Sequence, residues 1–344
     1  MTPRQAFPTA LLLGVLACAG KQGAGSGNEN GGASVTVRLP GDVVEFSLPS
    51  GGSEPTGIAA GPDGNIWFTE SASSNIGCIT MDGQVTEYPI PTANSGPQAI
   101  AVGPDGNLWF TESVANQIGR IDRSPMSGAC PTIPKIAEFP TSIEGGTPFG
   151  ITAGEGVLYF AELEGNAIGV IQTSGSVAAL QTQIPTSAPE NVAVDAAGNI
   201  WFAGRGGLIG RVSPDGGVFT VSTFPVLMPV AGDNYAMTIG PDSNLWFTEQ
   251  LGNLVARMGE DGAVLDYPLK NLASQPNGIA PGPDGNLWIT EGAGRIGCVT
   301  PSGVLKAEFQ LPTGPSEPFG ITAGPDGNLW FTERASSKIG SLVP

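Results

Sequence analysis

GPDGNLWFTE occupies Gly103–Glu112 and recurs letter for letter at Gly324–Glu333. Close variants stand at Gly61–Glu70 (GPDGNIWFTE), Gly240–Glu249 (GPDSNLWFTE) and Gly282–Glu291 (GPDGNLWITE). Two eroded copies complete the set, GEGVLYFAE at Gly154–Glu162 and DAAGNIWFAG at Asp195–Gly204. The aromatic that marks each copy falls at Trp67, Trp109, Tyr159, Trp201, Trp246, Trp288 and Trp330, with spacings of 42, 50, 42, 45, 42 and 42 residues. Seven copies at a period in the low forties are the signature of an all-β fold, a seven-bladed β-propeller with one blade per repeat. A length of 344 residues would alone suggest about two domains. The repeat overrides that expectation, because a blade cannot bury its faces without its neighbours.

Within the last copy, Phe319–Ala323 reads as a strand, Pro325-Asp326-Gly327-Asn328 as a turn, and Leu329–Glu333 and Lys338–Leu342 as two further strands. Asp-Gly between apolar runs is a strong hairpin signal, since glycine takes positive φ without a Cβ clash. A fourth strand is visible at Val85–Ile90, Ile136–Phe139, Val264–Leu269 and Leu305–Leu311. Val44–Pro49 matches that fourth strand although it precedes the first repeat, and the chain ends just after a third strand. The N-terminal strand is therefore expected to complete the last blade and remove two sheet edges. The unbroken run Leu-Trp-Phe fits a strand buried on both faces, so the tryptophans are expected to be core. Arg123–Lys135 is an insertion in blade 2 and carries Cys130. Cys78 and Cys298 hold equivalent places in blades 1 and 6, which do not touch and should not bridge. A Cys78–Cys130 bridge is open to an exported protein, but spacing alone does not demand it.

Net charge is −17 with 14 Lys and Arg. That disfavours nucleic acid, because no basic patch can be assembled to displace counterions. Histidine is absent, which excludes Ser–His–Asp and Cys–His chemistry and any His-ligated metal. The 52 glycines and 31 prolines suit many short strands joined by tight turns. Residues 1–18 read as an export signal with the short apolar core Ala10–Ala17. Val15-Leu16-Ala17-Cys18 is similar to a bacterial lipobox, making Cys18 the lipidation site; an ordinary secretory signal is the alternative. Residues 19–42 read as a flexible Gly/Ser/Asn tether and 43–344 as the propeller. The expectation is an exported monomer in a bacterial cell envelope, touching membrane through a lipid anchor only.

Two rings of equivalent positions are candidates for function. The first opens each innermost strand, after proline in six blades: Thr56, Gln98, Phe149, Glu190, Tyr235, Asn277 and Phe319. Core positions repeat and these do not, so at one mouth of the channel they either bind a ligand (a small molecule, a glycan or a partner protein) or plug the opening. The second ring is the acid ending LWFTE: Glu70, Glu112, Glu162, Glu249, Glu291 and Glu333, with Gly204 in blade 4. Converging unpaired carboxylates would repel, so each is expected to accept hydrogen bonds from backbone groups of a nearby turn. A converging subset would instead suit a hard cation.

GPDGNLWFTE, followed by NxIGxI at Asn116–Ile121 and by TEYPIPT at Thr86–Thr92 in blade 1, resembles the streptogramin lyase (virginiamycin B lyase) family across all seven repeats. The resemblance implies a propeller closed by an N-terminal strand. It also implies a magnesium-dependent elimination that opens a cyclic depsipeptide at its ester, with an active site drawn from blades 6 and 7. The family's two histidines would fall at Asn277 and Phe319. Its acidic, magnesium-associated positions would be Glu317 and Glu333. Removing a proton α to a carbonyl calls for a base poised near the working pH. Asn277 cannot accept a proton, and Glu333 could serve only with its pKa raised by burial. The reading is therefore a lyase-like propeller that binds without catalysis. The alternative is a lyase or lactone-acting enzyme that uses Glu333 and a divalent cation.

Overall fold

The computed structural model describes residues 38–122, 129–132, 134–180, 188–205, 207–215, 218–225 and 236–344. They form seven four-stranded antiparallel sheets. In the first six, chain order runs from the channel outward. In the seventh, Val43–Ser47 is the outermost strand, followed inward by Lys338–Leu342, Leu329–Glu333 and Pro318–Ala323. The expected closure is thus present, in a register running from Val43 opposite Leu342 to Ser47 opposite Lys338. Phe46 stacks on Trp330 with centroids 5.8 Å apart, and Lys338 Nζ lies 2.8 Å from Glu45. Five other blades pair their own fourth-strand aromatic with their tryptophan, as Tyr88 does with Trp67.

The second strand of each blade lies between first and third strands and beneath both neighbouring blades. Leu108–Glu112 is accordingly buried at every residue, as are its four close copies. The tryptophans are core, as expected. Their one polar atom is also satisfied: the indole N–H of Trp246 donates to Asp242 at 2.9 Å, and that of Trp330 to Asp326 at 3.1 Å. Burial would push the Asp242 carboxyl up, but hydrogen bonds from Trp246 and Asn244 hold it below the usual range. The PDGN turn is therefore more than a reversal of direction, since its aspartate is the acceptor that the buried tryptophan needs.

Neighbouring blades are also stapled across the layer of the tryptophans. Arg120 and Arg257 stand opposite Trp109 and Trp246. They reach over these rings to carbonyls of the next blade, Thr173 at 3.1 Å and Pro301 at 3.3 Å. Cys78 holds the matching position opposite Trp67 and forms a disulfide with Cys130 of blade 2, with Cα atoms 5.9 Å apart. That settles the pairing the spacing left open. Cys298 is buried and not disulfide-bonded.

Candidate functional site

The channel mouth is built by an irregularity repeated at the start of every innermost strand whose beginning is described. The residue before the opening proline takes a left-handed φ, as at Glu54 (50°), Thr147 (57°), Gln275 (54°) and Glu317 (50°). That conformation is uncommon for residues with a Cβ. It is held because its carbonyl accepts the N–H that follows the LWFTE acid, as from Arg334 to Glu317 at 3.1 Å and from Gly292 to Gln275 at 2.8 Å. The pairing then slips by a bulge between Pro55 and Ile58, and likewise at the opening prolines of blades 2, 3, 4, 6 and 7. A bulge re-aims the extra residue, and here it lifts one residue per blade to the channel.

The threonine of LWFTE fills the opening left in the ladder. Thr332 Oγ1 accepts from Gly320 N at 2.8 Å and donates to the Thr56 carbonyl of blade 1 at 2.9 Å. Thr69, Thr111, Thr248 and Thr290 make the same two bonds, donating to Gln98, Phe149, Asn277 and Phe319. Ala161 and Ala203 hold this position in blades 3 and 4. Blades approach so closely here that a Cβ on Gly278 would sit 2.2 Å from the Phe319 carbonyl, and one on Gly320 2.4 Å from that of Thr56.

The result is a cavity of about 250 Å³. Thr56, Gln98, Phe149, Glu190, Asn277 and Phe319 all line it, so six members of the first ring are brought together as expected. Tyr235 lies outside the described residues. Below the mouth comes a waist of small residues such as Gly57, Ala99 and Gly278, and then a floor of Ile58, Ile100, Ile151, Val192, Met237, Ile279 and Ile321. Thr56 is only 2% exposed and its hydroxyl faces Thr69 and the Gln98 carbonyl, so it belongs to the frame. Asn277 is fixed at both ends, its Oδ1 accepting from Gln250 at 2.7 Å and its Nδ2 donating to the Pro318 carbonyl at 3.0 Å. Glu190 is buried and Arg205 Nε lies 2.6 Å from it. Burial raises the Glu190 carboxyl while Arg205 pulls it down. The Arg334 guanidinium lies 5.7 Å from the Phe319 ring centroid and 3.3 Å from Glu54.

Arg205, Gln250 and Arg334 form a second layer at the mouth that the reading of the sequence missed. Each directly follows the last letter of the LWFTE motif, and the seven residues there (Ser71, Ser113, Leu163, Arg205, Gln250, Gly292 and Arg334) vary as freely as the first ring. That variability was the available signal.

The acids are arranged differently from expectation. All six LWFTE glutamates are buried, but none lines the cavity. Three of the carboxylates accept from side chains and not from backbone groups: Glu70 from Ser73 and Asn75, Glu291 from Arg295, and Glu333 from Ser336. Side chains from the turn after the acid (Ser73 and Ser336) and from the start of the third strand (Asn75 and Arg295) reach it directly, whereas the turn backbone is already used in pairing. Burial pushes Glu333 up, with Glu45 adding to the rise and Ser316, Lys338 and Ser336 opposing it. Glu317, by contrast, is exposed. Glu317 and Glu333 do not fit a magnesium cage. Glu333 is enclosed inside the blade beside an ammonium group, and among the described residues no group of three or more acidic or cysteine side chains is placed to hold a metal. Cys18 lies outside the described residues.

The family model for virginiamycin B lyase matches residues 29–227 and 219–344. The chain belongs to the virginiamycin B lyase family. Among curated proteins, the virginiamycin B lyase of Nocardia farcinica (strain IFM 10152) is 30% identical over 135 residues, a match spanning 39% of this chain and 46% of that protein. Among solved structures, virginiamycin B lyase from Staphylococcus aureus superposes with a TM-score of 0.78 at 30% identity, covering 88% of this chain and 99% of the other. A catalytically inactive variant of that enzyme, crystallised with quinupristin, matches equally well. The family fold is therefore shared, yet this sequence contains no histidine.

Proposed function

We propose that this protein is an exported, lipid-anchored propeller that binds a small molecule at the channel mouth and does not turn it over. The observation that carries the reading is Asn277. It stands where the family resemblance calls for an imidazole, and its amide is locked between Gln250 and the Pro318 carbonyl. A carboxamide neither takes nor gives a proton at neutral pH, and among the described residues no base lines the cavity except Glu190, which Arg205 holds as an ion pair. What remains is recognition. Phe149 and Phe319 supply apolar faces, Gln98 and Asn277 supply amides, and the floor is aliphatic. That set suits a ligand that inserts an apolar group and turns a neutral polar edge toward the amides. The cavity is small for a whole drug-sized molecule, so the rest of the ligand lies across Arg205 and Arg334. The Cys78–Cys130 disulfide supports export to an oxidising compartment.

The test is incubation of the protein with a type B streptogramin such as quinupristin and magnesium, followed by mass spectrometry of the antibiotic. The ring is expected to stay intact, because losing general-base catalysis costs about 10²–10⁴-fold. Linear product that disappears in Glu333→Gln would overturn the reading and make Glu333 the base.

A further inference from the structure

Four blades place a second glutamate, from the fourth strand, beside the buried LWFTE acid. The pairs are Glu70 with Glu87, Glu112 with Glu138, Glu291 with Glu308, and Glu333 with Glu45; in each the second glutamate stands opposite a third-strand glycine, Gly77, Gly119, Gly297 or Gly340, two residues beyond the one that pairs with the buried acid. The residue that opens the third strand faces the buried acid in each. In blades 6 and 7 this residue is a cation: Arg295 lies 3.1 Å from Glu291 and 3.8 Å from Glu308, and Lys338 lies 2.8 Å from Glu45. In blades 1 and 2 it is an amide, Asn75 or Gln117. Two carboxylates sharing a buried site without a cation cannot both stay ionised at modest cost.

We propose that blades 1 and 2 carry a proton where blades 6 and 7 carry a basic side chain, making Glu70–Glu87 and Glu112–Glu138 proton-sharing clamps that weaken the first two blades as pH rises. The blades of one chain act as internal controls, since the same two acids occur in the same framework with and without a cation. Glu112 makes the case most sharply. It is fully buried, neither carboxyl oxygen meets a cation or a backbone N–H, and the Ser95 hydroxyl beside it is neutral. The groups acting on it are Glu138 from the fourth strand and Ser95 from the loop before the first strand, while the third strand offers only neutral Gln117. Around Glu70 stand Glu87, Ser73 and Asn75, again with no base. Burial first, and the neighbouring acid second, push Glu112 up to about 8. Glu70 is pushed up to about 7, chiefly by burial. The folded protein therefore holds protons that the unfolded chain releases above the ordinary carboxyl range. The stabilisation is complete below that range and is lost as pH climbs through about 7 and then about 8.

The test compares thermal melting of the intact protein at pH 5 and pH 9 with that of Glu112→Gln, Glu138→Gln and Glu308→Gln. Glutamine mimics the protonated acid in shape. The blade 2 variants should therefore melt above the parent at pH 9 and lose that advantage at pH 5. Glu308→Gln, which takes a carboxylate from Arg295, should bring no gain at pH 9. Infrared spectra at neutral pH should show a protonated-acid carbonyl band that weakens in Glu112→Gln. Should Glu112→Gln fold poorly, the half-buried Glu138→Gln carries the same test. Equal effects in blades 2 and 6 would overturn the proposal. So would a rise in the parent's melting temperature at pH 9 on adding calcium that Glu112→Gln abolishes, because the site would then hold a metal and not a proton.

Discussion

Replacing Thr332 by valine tests the seam where the ring closes. Valine keeps the shape and removes one hydroxyl. Two bonds are lost with it, from Gly320 N at 2.8 Å and to the Thr56 carbonyl at 2.9 Å, at a fully buried site. The cost is set less by the bonds than by the partners left behind, since a buried polar group without a partner costs about 1–3 kcal/mol. Two such groups, with some relaxation, give about 2–4 kcal/mol. At this chain length that corresponds to a fall in melting temperature of roughly 4–8 °C, taking about 2 °C per kcal/mol. Circular dichroism melts of parent and variant measure it directly. The reciprocal variant, Ala161→Thr, offers a hydroxyl between the Gly150 N–H and the Glu190 carbonyl and should gain about 0.5–1.5 kcal/mol. A Thr332→Val protein that melts as the parent does would refute the view that these hydroxyls hold the blades together.

Two further outcomes are expected. A chain beginning after Pro49 should melt well below one beginning at Arg38, because it loses the five-residue pairing with Lys338–Leu342, the Phe46–Trp330 stack and the buried Leu48; fully burying a side chain such as Leu48 is worth about 1.5–3 kcal/mol, and the half-buried Phe46 adds to it. Reduction of Cys78–Cys130 should cost up to about 4 kcal/mol by the chain-entropy relation for cysteines 52 residues apart, read as a lower denaturation midpoint in urea with reductant.

The architecture was legible because its determinants repeat. Asp, Gly, Asn and Trp recur together since each blade needs the same turn and the same acceptor for its indole. Closure by Val43–Ser47 was legible because Phe46 matches the aromatic of every other well-formed fourth strand. The first ring at the mouth was legible for the opposite reason, as it varies inside an otherwise constant frame. Thr332 and its equivalents drew no reading from the sequence, because a residue that repeats with its motif carries no sign that its hydroxyl spans two blades. The partners of Glu70, Glu291 and Glu333 were misassigned to backbone because the side chains that reach them, Asn75, Arg295 and Ser336, differ from blade to blade. Arg205, Gln250 and Arg334 were overlooked because they follow a motif whose last letter drew the eye. The disulfide depends on how the insertion in blade 2 lies against blade 1, which spacing does not encode.

The threonine contacts also bear on how such a protein can change. Thr111 grips the carbonyl of Phe149 and Thr290 that of Phe319; neither touches the phenyl ring through that bond. Where the threonine is present, the frame thus holds the mouth residue by an atom common to every amino acid, and at Gln98, Phe149, Asn277 and Phe319 it leaves the side chain for whatever enters the channel. Selection can therefore rewrite the letters at these positions one at a time, exchanging an imidazole for an amide or a phenyl group, with little penalty in foldability. A lineage built this way is free to keep its scaffold while its chemistry drifts, and sequence similarity across the blades will overstate similarity of purpose.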